Sequence, residues 1–192
     1  EPGAWDKLAS FVNDTSGQQR LESLGINTIS VVGSFDVLEN GGYKFPFTVA
    51  FVETEIVRYK KLGFAVFLSG NSRGAPSDAD PEQALENYLL SCKMAAIELA
   101  RLGEKYNVEY FSPSNEFEGS LAGEAFPSRL QSYNPPETPF DPPDAGTDAR
   151  VEKASEWFED ILPDLKQAFS GKIIAKVGEA HPGYRVEGYD YL

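Results

Sequence analysis

Short apolar runs separated by helical stripes set the architecture of this chain. Ile26 to Val32, Phe64 to Leu68, Val108 to Phe111 and Lys172 to Val177 are continuous rather than alternating. That is the pattern of strands covered on both faces in a parallel sheet. Between them lie helical faces. Val49, Val52, Ile56 and Tyr59 form one, with Gly63 as its C-cap. Asp80-Pro81-Glu82-Gln83 reads as an N-cap, a first-turn proline and a capping-box partner, opening a helix with a stripe of Leu85, Tyr88, Leu89, Cys92, Ala96 and Leu99. Cys92 is therefore expected in the core rather than as a reactive thiol. Val151, Ala154, Phe158, Ile161, Leu165 and Phe169 make a third stripe, with a kink expected at Pro163.

Strands alternating with helices imply right-handed crossovers and an α/β fold, either an open doubly wound sheet or a closed barrel. Loop placement separates the two. Turns from helix into strand are minimal (Leu24-Gly25, Leu62-Gly63, Ser170-Gly171), whereas segments after strands are long and carry the Gly, Pro, polar and aromatic residues. Elaboration at one face is the habit of (β/α)8 TIM barrels. The longest such segment, about 118–147, holds six of the thirteen prolines along with Phe126, Tyr133 and Phe140, and is expected to be an ordered wall or lid. A barrel typically needs about 250 residues. The 192 residues therefore read as a single partial barrel domain containing strands two to six, the sixth beginning at Val186 to Leu192.

The chemistry concentrates at Asn115-Glu116, which closes the run Tyr110-Phe111-Ser112-Pro113-Ser114. A carboxyl group at the C-terminal edge of a strand, beside an amide and between two phenyl rings, is suited to general-acid work near neutral pH. Glycosidic bonds are commonly broken in this way. On the same rim stand Asp36 after the second strand, Asn71 and Arg73 in Ser69-Gly70-Asn71-Ser72-Arg73-Gly74, and Glu179, His181 and Tyr184 after the fifth strand. Asn71 and Arg73 offer donors to hydroxyl groups, and Arg73 could instead pair with Glu116 or Glu118. Phe117, Tyr133, Tyr184 and Tyr191 are candidate platforms for the apolar face of a sugar ring.

Composition removes several alternatives. A net charge of -13 repels phosphate backbones and anionic lipid, so nucleic acid is not an expected partner. No apolar run approaches the ~20 residues that cross a bilayer. One cysteine and one histidine exclude a Cys/His zinc site, and no P-loop or dinucleotide fingerprint is present, so no metal or organic cofactor is expected.

Three pieces resemble the clan of retaining (β/α)8 glycoside hydrolases that includes cellulases, mannanases and galactanases. Leu24-Gly25-Ile26-Asn27-Thr28-Ile29 is similar to its approach to strand two, Tyr110 to Glu116 to its fourth strand, and Tyr189-Asp190-Tyr191-Leu192 to the start of its sixth. The resemblance implies a secreted glycosidase degrading β-linked poly- or oligosaccharide by a retaining double displacement. Glu116 would be the acid/base, Asn115 would bond the sugar 2-hydroxyl, and a nucleophile would lie on strand seven, beyond this chain, in the remaining segment of its own barrel. The alternative is a non-catalytic carbohydrate-binding or assembly protein on the same scaffold.

Overall fold

The computed structural model describes residues 14–45, 49–75, 80–131, 145–178 and 181–190. After helix α1 (Thr15–Ser23) come β1 (Thr28–Val37), β2 (Tyr43–Lys44), α2 (Val49–Lys61), β3 (Ala65–Arg73), α3 (Pro81–Lys105) and β4 (Tyr110–Ser112). Two short helices, α4 (Phe117–Ser120) and α5 (Ser128–Gln131), precede the long α6 (Ala145–Ala168) and β5 (Lys172–Ile173). The sheet order is β2-β1-β3-β4-β5. Every pair is parallel except β1 with the short β2.

Successive parallel strands are thus adjacent in space, with a helix in each crossover. A doubly wound sheet reverses its strand order partway, whereas a barrel does not. The four parallel strands β1, β3, β4 and β5 progress across the sheet without a reversal, and the two-residue β2 is an antiparallel hairpin partner on the outer edge of β1. Helices cover one face: Val31, Phe35, Val66 and Leu68 are buried there, and a Cβ on Gly33 would lie 2.5 Å from the Leu99 side chain of α3. The other face of β1 is open, with Ser30 exposed and Val32 at 48%. Coverage of both faces, expected from the unbroken apolar runs, therefore does not hold at β1. In a closed barrel, layers of side chains fill that inner face.

Strand limits also differ from expectation. β1 and β3 run on through Ser34-Phe35-Asp36 and Ser69 to Arg73, because the two segments pair continuously from Thr28↔Ala65 to Asp36↔Arg73. Small polar residues that read as loop are held in a strand by a neighbour of equal length. Conversely, β5 stops at Ile173, and of the expected sixth strand the described part, 186–190, turns at Glu187-Gly188, while Tyr191 and Leu192 lie outside the described residues. Only Asp190 reaches the edge of β5, its N–H donating to Ile173 O at 2.7 Å and its carboxylate accepting from Ile173 N.

The three helical stripes pack as expected. Val52, Ile56 and Tyr59 of α2, Leu85, Tyr88, Cys92, Ala96 and Leu99 of α3, and Val151, Ala154, Phe158, Ile161 and Leu165 of α6 are buried, as is Phe169 just past its end. Asp80 caps α3 by accepting from Glu82 N, but Gln83 turns to Asn87 instead of closing the capping box. α6 continues through Pro163 to Ala168. Gly63 adopts φ +88°, ending α2 in the left-handed conformation that glycine tolerates.

Candidate active site

The site is built where β4 gives way to loop. Pro113 has no N–H to extend the ladder, and its carbonyl lies so close to β3 that a Cβ on Gly70 would sit 2.4 Å from Pro113 O. Ser112 Oγ donates to Ser114 O at 2.7 Å, turning the chain over the sheet rim. Glu116 then adopts φ 51°, ψ 55°, a left-handed conformation that costs a non-glycine residue roughly 1–2 kcal/mol. Strain of this kind persists where surrounding structure enforces it. Here Glu116 N donates to Lys176 O across the loop after β5, and Phe117 is locked into the core. The Phe117 ring stacks on Trp157 at 4.0 Å and on Tyr88 at 5.9 Å.

That anchor sends the two flanking carboxylates to one place. Glu118 turns inward and is 4% exposed, with Oε1 accepting from Gly178 N at 2.5 Å. A Cβ on Gly178 would lie 2.8 Å from Glu118 Oε1 and 3.0 Å from Glu116 Cγ, so both side chains pass directly over this glycine. Together with Gly119, Ala122, Thr147 and Arg150 they line a pocket of about 330 Å³. Arg150 is buried and donates to Leu130 O and to Thr147 Oγ1, each at 2.9 Å. Glu116 itself is exposed. The phenyl rings expected to enclose it, Phe111 and Phe117, are both in the core. A carboxyl at the mouth of a pocket can exchange a proton with a bound molecule and with water.

The other sequence-derived candidates fall elsewhere. Arg73 is engaged by Asp36 rather than by Glu116 or Glu118: its Nε and a terminal nitrogen reach Asp36 Oδ1 at 2.9 and 2.8 Å, a consequence of their direct register. Asn115 and Asn71 are half-buried and line none of this pocket. His181 accepts from Gly183 N through Nδ1 and meets Asp148 Oδ1 through Nε2, both at 3.0 Å, which assigns the ring proton to Nε2. Its ring stands edge-on to Tyr184, and a Cβ on Gly183 would lie near both it and Val151. His181 therefore ties the loop after β5 to α6 instead of joining Glu116, and Tyr184 packs against the core. Phe117 is a core ring, not a platform. Glu179, Tyr191 and Tyr133 lie outside the described residues, as does 132–144 of the long loop; the loop's first part packs as a wall through Leu121, Phe126 and Leu130.

Glu118, Gly178, Thr147 and Arg150 were not singled out as site residues from sequence. The Glu-Phe-Glu spacing was the available signal: a buried ring between two carboxylates fixes both at one surface. Thr147 and Arg150, three apart on α6, carry no such mark. A larger hollow of about 430 Å³ lies at the opposite strand ends, around Asn27, Lys60 and Glu109. There Lys60 Nζ and Val66 N both bond Glu109, a clamp on the start of the sheet away from the loop-bearing rim. Among the described residues no group of His, Cys, Asp and Glu is arranged to hold a metal ion, and no helix is long and apolar enough to cross a membrane.

The fold is α/β of the TIM-barrel class, with the candidate pocket at the C-terminal ends of its strands. No protein-family model matches the chain, and no curated protein sequence matches it. Solved structures do. A GH113 β-1,4-mannanase superposes with a TM-score of 0.51 at 13% identity, covering 84% of this chain and 48% of that one. A second GH113 β-1,4-mannanase, solved as a complex, gives 0.53 at 12% identity, with 87% and 51% covered. The GH113 β-mannanase of Alicyclobacillus acidocaldarius, in complex with ManMIm, gives 0.51 at 11% identity, with 87% and 50% covered. The chain spans about half the length of these enzymes and shares their fold over that half.

Proposed function

We propose that this segment carries the acid/base half of a glycoside hydrolase acting on β-linked poly- or oligosaccharide. The observation that carries the reading is Glu116, in strained backbone at the end of β4, at the mouth of a pocket of about 330 Å³. Glu116 protonates the departing glycosidic oxygen and then takes a proton from the attacking water, as a retaining double displacement requires. Asn115, which precedes it in the chain and lies outside the lining of this pocket, is given the sugar 2-hydroxyl by the clan resemblance alone. The nucleophile belongs to a later strand of the barrel, and the remaining strands cover the face left open at Ser30 and Val32. The mannanase neighbours make β-1,4-mannan the first substrate to try, ahead of β-glucan, galactan and xylan.

The test is Glu116→Gln in the full-length protein. Hydrolysis of substrates with poor leaving groups is expected to fall about 10²–10⁴-fold, while activated aryl glycosides, which need little protonation, lose much less. Equal, mild losses on both would remove Glu116 from this role. Saturable oligosaccharide binding without any hydrolysis would identify the protein as a carbohydrate-binding or assembly module instead.

A further inference from the structure

Among the described residues Glu118 is the buried carboxylate whose hydrogen bonding is incomplete. It is 96% removed from solvent by its 4% exposure, and Oε1 is satisfied by Gly178 N, yet Oε2 is buried with no hydrogen-bond partner. A buried carboxylate oxygen left unpaired costs upwards of about 1–3 kcal/mol. Such a group calls for an explanation, and the usual ones are stored strain, an ordered water or ion, or use by a ligand or a reaction. Glu118 lines the same pocket as Glu116, and the lining between them and α6 is small, Gly119 and Ala122, so a ring can approach closely.

We propose that Glu118 is a substrate-binding residue whose Oε2 accepts a hydroxyl of the sugar ring seated beside Glu116, and that this subsite takes neutral rings and rejects uronates. The inference rests on the reading of Glu116 as the acid/base of a glycosidase. Charge sets the selectivity. A carboxylated ring would meet Glu116 and Glu118 together on a protein of net charge -13. The pocket's cation, Arg150, already has donors engaged by Leu130 O and Thr147 Oγ1. A hydroxyl, by contrast, supplies the donor that Oε2 lacks and brings no charge.

Calorimetric titration of the full-length protein with mannotetraose, cellotetraose and tetramannuronate, the β-1,4-linked and C6-carboxylated counterpart of mannotetraose, tests this. At least one neutral tetraose is expected to bind and tetramannuronate is not. In Glu118→Gln the amide oxygen keeps the Gly178 N–H while the NH2 group replaces the acceptor with a donor. Affinity is expected to fall at least about tenfold, with an unchanged melting temperature. Glu118→Asp, which withdraws the carboxylate by one methylene, is expected to weaken binding likewise and serves if the Gln variant does not fold. Ala122→Trp, which fills the pocket, is expected to abolish binding. Glu118 variants that bind as the parent does, a tetramannuronate affinity equal to the neutral ones, or a parent that binds no neutral tetraose would each overturn the proposal. Binding that depends on Glu118 in a protein that hydrolyses nothing would leave this subsite standing and remove the acid/base role of Glu116. Glu116-dependent hydrolysis with Glu118-independent binding would do the reverse.

Discussion

Glu116 and Cys92 show how backbone and burial place side chains in ways that their identity alone leaves open. Glu116 holds a left-handed conformation that glycine adopts without strain. Glu116→Gly is therefore expected to stabilise the fold by up to about 1 kcal/mol and, under the function proposed above, to remove hydrolysis, measured by urea denaturation alongside an activity assay. Stability that falls instead would mean the side chain is held for packing. Cys92 is the opposite case. It is 2% exposed in α3, and burial pushes its thiol up to about 12, so the thiolate that reacts is scarce near neutral pH. Labelling with a thiol reagent should be negligible in the native protein and rapid in denaturant. Fast native labelling would contradict its place in the core.

At the level of strands, the contact between β3 and β4 positions the chemistry. Their ladder ends at Ser69↔Ser112, and the next step brings Pro113 O against Gly70. A methyl group there has no room, because the obstacle at 2.4 Å is backbone and cannot rotate away. Gly70→Ala should cost at least about 2 kcal/mol and displace the segment from Pro113 to Glu118, lowering activity as well as the denaturation midpoint. Gly33→Ala is the control, since its obstacle is the flexible end of Leu99. A Gly70→Ala variant as stable and active as Gly33→Ala would show that this approach does not hold the site.

Over the whole molecule, acid should be the main threat to stability. Burial alone would raise Glu109, but hydrogen bonds from Lys60 and Val66 N and the nearby Lys60 charge outweigh it and hold the carboxyl below the ordinary 4.5. Glu104 is lowered by the Ser170 backbone and hydroxyl bonds, Glu53 by Lys105 and Glu82 by Arg129. A carboxyl depressed in the folded state contributes stability that is complete above its unfolded value and disappears as pH falls through its folded one. Urea midpoints are expected to be level from about pH 6 to 8 and to drop below about 4.5. In Glu109→Gln, which also lacks the charge pairing at neutral pH, the drop should be smaller, though modestly so because solvent screens the half-exposed Lys60–Glu109 pair. A midpoint that rises on acidification would instead mean that relief of the net charge of -13 dominates.

Periodicity made the helical stripes, the parallel α/β class and the position of Glu116 legible, because apolar spacing and strand-end placement are local properties of the chain. The extension of β1 and β3 through polar residues was not legible, since a strand's length depends on its neighbour as well as on its own composition. Nor was the pairing of Arg73 with Asp36, which follows from register, or the anchoring of His181 to Asp148. The pocket required three distant segments to converge: Glu116 and Glu118 after β4, Gly178 after β5, and Thr147 and Arg150 at the start of α6. No spacing along the chain encodes that meeting. It arises because the parallel strands end together at one rim and the stacked rings of Phe117 and Trp157 fix how α4 lies on α6.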